Sequence, residues 1–139
     1  MLVLDTSAVS AVMHGDSGAL HRLRDEDPSD TYLCTPVAAE IRFGLSRLEA
    51  GSRRRQLLES EFRRLRAVLR WTDWTEPATL AFGHWKAVLQ ARGTPIEDMD
   101  LAIASVAVGL SARLATLNVR HFSRIDDLQA DDWSPQESG

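Results

Sequence analysis

Cysteine is all but missing from this 139-residue chain: Cys34 stands alone, so no internal disulfide can form, which suggests a reducing compartment. Lysine is as scarce, with Lys86 the single example beside fifteen arginines. No apolar stretch reaches the roughly 18 charge-free residues that a membrane-spanning helix needs. The start, MLVLDTS, has no basic leader and its apolar run stops at Asp5, so it does not read as a secretory signal. These absences exclude a disulfide-stapled miniature protein and a membrane-spanning one. The expectation is a soluble cytoplasmic protein with no membrane partner.

What is present is an ordinary globular composition, 44% hydrophobic and 26% charged. The length suits one domain with its own core, expected over residues 1–130, followed by a polar, frayed tail over 131–139. The charge is unevenly spread. Seven arginines lie from Arg53 to Arg70 against Glu59 and Glu61, a local net of +5, which leaves −9 for the rest of a chain of net charge −4. Such a stretch is either a solvated helix face or a surface for an anionic partner.

Leu2-Val3-Leu4 is the short unbroken apolar run of a strand buried on both faces. Thr6 or Ser7 is placed to cap a helix over 8–13, and a turn at 14–18 leads to a short helix near 17–26. Thr31–Cys34 is the next strand, with Thr35 as cap and Pro36 in the first turn of a helix that Gly51 ends. The spacing predicts another helix over 52–69, with Leu57, Leu58, Phe62, Leu65 and Leu69 facing inward. Then follow a candidate strand at 71–74, a helix over 77–91, a core helix over 99–110 that is apolar almost all round, and a strand over 113–116. A turn or short helix at 118–122 and an edge strand from Leu128 complete the series. Strands alternating with helices define an α/β sandwich with a mostly parallel sheet.

In such sheets ligands gather outside the carboxyl ends of the strands. Asp5 follows the first strand directly, and Glu40 lies early in the helix after the second. Asp98 and Asp100 open the apolar helix, and Asn118 follows the strand that ends at Thr116. Four distant segments thus each bring an acid or amide toward one sheet edge. Crowded carboxylates stay ionised together only beside a cation, and a donor set nearly free of Cys and His favours Mg2+ or Mn2+ over Zn2+. Structural alternatives stand beside these readings. Asp5 and Asp98 suit helix N-caps, and Glu40 has Arg42 and Arg47 as candidate partners. Asp100 is harder to explain structurally, because a buried unpaired carboxylate costs on the order of several kcal/mol and a helix N-terminus offsets only about 0.3–1 kcal/mol. His14, His84 and His121 show no mutual pattern, and no Ser-His-Asp or Cys-His nucleophile is spaced for catalysis.

Taken together, these segments resemble a known family. LVLDTSA at 2–8 and AAEIRFG at 38–44 resemble the first two acidic motifs of the PIN-domain nucleases. GTPIEDMDLAIA at 93–104 resembles the third and ATLNVRHF at 115–122 the fourth, in order and at the family's spacing. The nearest likeness is to the VapC-type toxins of bacterial toxin–antitoxin pairs. The resemblance implies a three-layer α/β/α fold and Mg2+- or Mn2+-dependent endoribonuclease action by the toxin of a type II pair. It implies Asp5, Glu40 and Asp100 as metal ligands, with hydroxyls from Thr6, Ser7 and Thr116 beside them. Asn118 departs from the pattern, since the family often has a fourth Asp there. A neutral amide is a poor ligand for a second cation, Asp98 is the acid that could replace it, and one-metal and two-metal action both stay open.

The expected catalytic set is therefore Asp5, Glu40, Asp100 and Asn118. The expected partners are RNA held by Arg53, Arg63, Arg64 and Arg70, an antitoxin with a basic C-terminal segment lying over the site, and a second copy in a homodimer. The alternative is a non-catalytic PIN-like scaffold that binds RNA or protein, with Asn118 as the sign of lost chemistry.

Overall fold

The computed structural model describes residues 1–135. Its strands are β1 (Leu2–Leu4), β2 (Thr31–Cys34), β3 (Arg70–Thr72), β4 (Arg113–Thr116) and β5 (Ala130–Asp132). They form one sheet in the order β3-β2-β1-β4-β5, and every neighbouring pair is parallel. β1 is central. Its Leu2, Val3 and Leu4 are no more than 1% exposed, and because side chains alternate between faces, both faces of the sheet are covered. The helices are α1 (Thr6–Met13), α2 (Ser17–Arg24), α3 (Thr35–Ser46), α4 (Arg53–Val68), α5 (Glu76–Ala91), α6 (Asp98–Leu110) and α7 (Val119–Phe122). Together they make the expected three-layer α/β/α sandwich. Among the described residues no helix is long and apolar enough to cross a membrane.

Parallel pairing sends the carboxyl ends of all the strands to one edge. Val3 pairs with Tyr32 on one side and Leu114 on the other, and the Asp5 amide donates to the Ala115 carbonyl at 3.0 Å. Asp5 therefore leaves the sheet at the middle of that edge. Connecting helices in a parallel sheet must run back against the strands. α4 accordingly begins near the carboxyl edge and ends beside the amino end of β3.

Several boundaries differ from the sequence expectation for local reasons. α1 begins at Thr6 because Asp5 is its cap, so neither Thr6 nor Ser7 plays that part. Thr35 lies inside α3, the cap position is Cys34 without a side-chain bond, and the helix ends at Ser46 rather than Gly51. On α4, Phe62, Leu65 and Leu69 face the core and Leu58 continues their stripe one turn earlier, but Leu57 is 57% exposed. It sits about 100° round the helix from Leu58, too far to share the stripe. The tail expected from residue 131 starts later. Asp131 and Asp132 belong to β5, which opens at Ala130 rather than Leu128, and Trp133 is 3% exposed. Arg113 supplies the reason: its guanidinium pairs with Asp131 and, at 3.1 Å, with Glu26, which lets an acidic segment add to the sheet. The end of that tail, 136–139, lies outside the described residues.

α5 and α6 cross closely at Gly109, where a Cβ would stand 2.9 Å from the Ala78 nitrogen and 3.1 Å from Pro77. Gly109→Ala should therefore destabilise the fold by roughly 1–3 kcal/mol through overpacking, even though alanine gains about 1 kcal/mol in helix propensity. Urea midpoints check this; a higher midpoint would show that the crossing yields.

Candidate active site

At the carboxyl edge lies a cleft of about 340 Å3, and Asp5, Glu40, Asp100 and Asn118 all line it. β1 delivers Asp5, α3 delivers Glu40, α6 delivers Asp100, and the turn after β4 delivers Asn118. The four positions singled out in the sequence as catalytic are thus brought together. Thr6, Ser7 and His121 line the same cleft, and Thr116 lies just behind it.

Hydroxyls hold the acids in place. Oδ1 of Asp5 accepts from the Ala8 amide at 2.8 Å and from the Ser7 hydroxyl at 2.7 Å. The Ser7 oxygen in turn accepts the Leu117 amide at 2.9 Å and lies 3.5 Å from the Thr116 hydroxyl. Thr116 Oγ1 accepts the Asn118 amide at 2.9 Å, which fixes the turn into α7. The Thr6 hydroxyl donates to Oε1 of Glu40. Glu40 therefore takes a hydroxyl rather than an arginine: Arg42 lies over the Phe62 ring and Arg47 over Phe43. Asp5 turns out to be a helix cap and a cleft acid at once.

The electrostatics follow from this crowding. Burial pushes the Asp5 carboxyl up, against the pull of Thr116, Ser7 and the Ala8 amide. Asp100 is also raised, first by burial and then by the charges of Glu40, Glu97 and Asp5, with His121 opposing. Among the described residues no three acid, His or Cys side chains close tightly enough to grip an ion as they stand. Asp5 and Glu40 each have one oxygen turned to a hydrogen-bond donor. The donor chemistry nevertheless fits a divalent cation, since three mutually repelling carboxylates face one cavity and none of its lining residues is Arg or Lys.

Asp98 is not brought to the cleft. It is in the first turn of α6 without capping it and pairs with Lys86 at 3.1 Å on the outside. Arg53, Arg63, Arg64 and Arg70 are all exposed, and none lines the cleft. Arg54, in the same stretch, lines an apolar groove that adjoins the cleft at Thr6 and Glu40. His121 is the residue that sequence reasoning missed. Its Nδ1 stands 3.7 Å from Oδ2 of Asp100. The available signal was spacing: three residues after Asn118, one helical turn returns the side chain to the same face.

A parallel α/β/α sandwich with carboxylates from three elements at the end of its central strand defines an acid-site α/β protein. The PIN domain family model matches residues 2–128, and the chain belongs to that family. Ribonuclease VapC2 of Rickettsia felis is similar at 30% identity over 97 residues, 70% of this chain and 69% of that protein. Ribonuclease VapC1 of Haemophilus influenzae is 46% identical over 59 residues, 42% of this chain, and the match spans only 44% of that relative's length. The crystal structure of VapBC2 from Rickettsia felis bound to a promoter DNA fragment superposes with a TM-score of 0.81 at 25% identity. It covers 96% of this chain and 98% of that one.

Because the Asp100 carboxyl is raised above its ordinary value of 3.8, the native state binds that proton more tightly than the unfolded chain does. Its ionisation therefore subtracts stability as pH climbs from 3.8 through the raised value. In EDTA at neutral pH, Asp100→Asn should melt a few degrees above wild type, and the gain should vanish in acid, where wild type is protonated too. Melting curves across pH decide it; a lower midpoint at neutral pH would contradict the crowding.

Proposed function

We propose that this protein is a divalent-metal-dependent endoribonuclease that hydrolyses RNA phosphodiester bonds, acting in the cytoplasm as the toxin of a type II toxin–antitoxin pair. The observation that carries the reading is the convergence of Asp5, Glu40 and Asp100 from three separate elements into one arginine-free cleft. Relatives that bear the name ribonuclease VapC support it. Asp5 and Asp100, with Glu40, would hold Mg2+ or Mn2+. When bound, the cation offsets charge on the scissile phosphate and lowers the pKa of the attacking water. Glu40, held by the Thr6 hydroxyl, would orient the attacking water and accept its proton. The Asn118 amide is neutral and serves as a hydrogen-bonding group toward the substrate.

An acidic cleft also suits a basic antitoxin segment, because an arginine pairs bidentately with a carboxylate. A homodimer has support in Phe43 and Val68 of α3 and α4, which are 66% and 57% exposed. RNA capture needs positive charge outside the cleft, which Arg53, Arg63, Arg64 and Arg70 supply.

Purified protein should cleave RNA with Mg2+ or Mn2+ and not in EDTA. Asp5→Asn, Glu40→Gln and Asp100→Asn should each lose more than about 100-fold, beyond the 10–100-fold typical of an outer-shell partner, while Thr6→Ala should fall within that range and Thr6→Ser should restore most activity. Wild-type cleavage by the Asp100→Asn protein would remove the proposed centre, and no cleavage by the wild-type protein with either ion would leave a binding scaffold. For the arginines, affinity is read against salt in Ca2+ to block turnover. Removing an arginine that neutralises a phosphate should flatten the slope by about 0.7–0.9. Arg53→Ala should show this with short RNA, and Arg63→Ala with Arg64→Ala only with RNA long enough to follow α4.

A further inference from the structure

We propose that Nδ1 of His121 is a direct ligand of the divalent cation alongside Asp100, which makes the centre a mixed nitrogen–oxygen site that favours Mn2+ over Mg2+. The inference rests on the metal-dependent reading above and assigns that site a nitrogen donor beside its acids.

His121 and Asp100 line the same cleft. Nδ1 and Oδ2 of Asp100 are 3.7 Å apart. A direct N–H···O bond would place them at about 2.7–3.2 Å. Two adjacent donors each about 2.1 Å from one shared octahedral ion stand about 3.0 Å apart, so the pair is too open for a direct bond and needs to close by only about 0.7 Å to share an ion. The imidazole is also presented by a turn pinned at both ends. The Asn118 amide is fastened to Thr116 Oγ1 at 2.9 Å, the His121 amide donates to the Asn118 carbonyl at 3.1 Å, and the next residue, Phe122, is 2% exposed in the core.

The rest of the cleft leaves room for such a donor. Asp5 and Glu40 each have one oxygen committed to other donors, Asn118 brings no charge, and Asp98 is turned outward to Lys86. A nitrogen from His121 makes up the deficit. Mg2+ is satisfied by carboxylates and water and gains little from imidazole, whereas first-row transition ions accept nitrogen readily.

The test is Mn2+ binding to the full chain, followed by electron paramagnetic resonance with detection of 14N modulation. Wild type should show a coordinated nitrogen that His121→Ala lacks. The Mn2+ dissociation constant should rise about 10-fold or more, while that for Mg2+, read by competition, changes far less. Asp100→Asn should abolish the bound signal and so identify the cleft as its source. If the alanine variant fails to fold, as a melting curve will show, His121→Gln makes the same comparison at similar size. Bound Mn2+ without nitrogen modulation in wild type, or equal weakening of both ions, overturns the ligand and leaves the nuclease reading standing. Absence of both Mn2+ uptake and RNA cleavage in wild type would sink the two together.

Discussion

A buried carboxylate at the end of a fully buried strand is the constraint around which this site is organised. Asp5 follows three residues with almost no exposure and is itself only 5% exposed. An unsolvated charge there is tolerated only if donors surround it. The donors come from Ala8, Ser7 and Thr116, so meeting the needs of one carboxylate starts α1 and ties its first turn to the end of β4. The Ser7 oxygen extends the tie by accepting the Leu117 amide. Loop, strand end and helix start are fixed by one group, and the same group faces the cleft.

The choice of hydroxyls rather than cations as partners matters for the chemistry. A guanidinium on Glu40 would have neutralised the cleft and filled it. Instead Arg42 and Arg47 lie over phenylalanine rings, and the Thr6 hydroxyl positions Glu40 without cancelling its charge. The acids consequently repel one another, which is what raises Asp100 beyond the effect of burial alone. Residual negative charge in a confined cavity is the property that an incoming cation or a basic side chain answers.

Much of this was legible in the sequence, and the failures have physical causes. Short apolar runs marked the strands, and position after a strand marked Asp5, Glu40 and Asn118, because parallel topology makes sequence position equivalent to sheet edge, while Asp100 stood out as a charge opening an apolar helix. What the sequence lacked was direction. Asp98 and Asp100 lie two residues apart and so point about 200° apart on a helix, one toward Lys86 and the other into the cleft. His121 was passed over because a histidine near an acid carries meaning only once α7 is known to turn it back. Asp131 and Asp132 looked like a solvated tail because nothing local reveals that Arg113, eighteen residues before Asp131, will neutralise it.

The basic stretch shows the same limit at larger scale. In sequence it is a block of charge; in the fold it becomes a gradient, since α4 runs from the carboxyl edge to the amino edge over about 24 Å at 1.5 Å per residue. Its far end has structural partners of its own: Arg66 stacks 3.9 Å from the centre of Trp71, and Arg70 lies over Tyr32. Cations there also suit the negative end of the helix dipole. Arg55 is bound to Glu59 and the Leu48 carbonyl. Arg54, on the groove that adjoins Glu40, and its neighbour Arg53 mark the end of the helix beside the cleft. A polyanion reaching the acids from that side meets positive charge first at Arg53 and Arg54, and only a longer one extends to Arg63, Arg64 and Arg70.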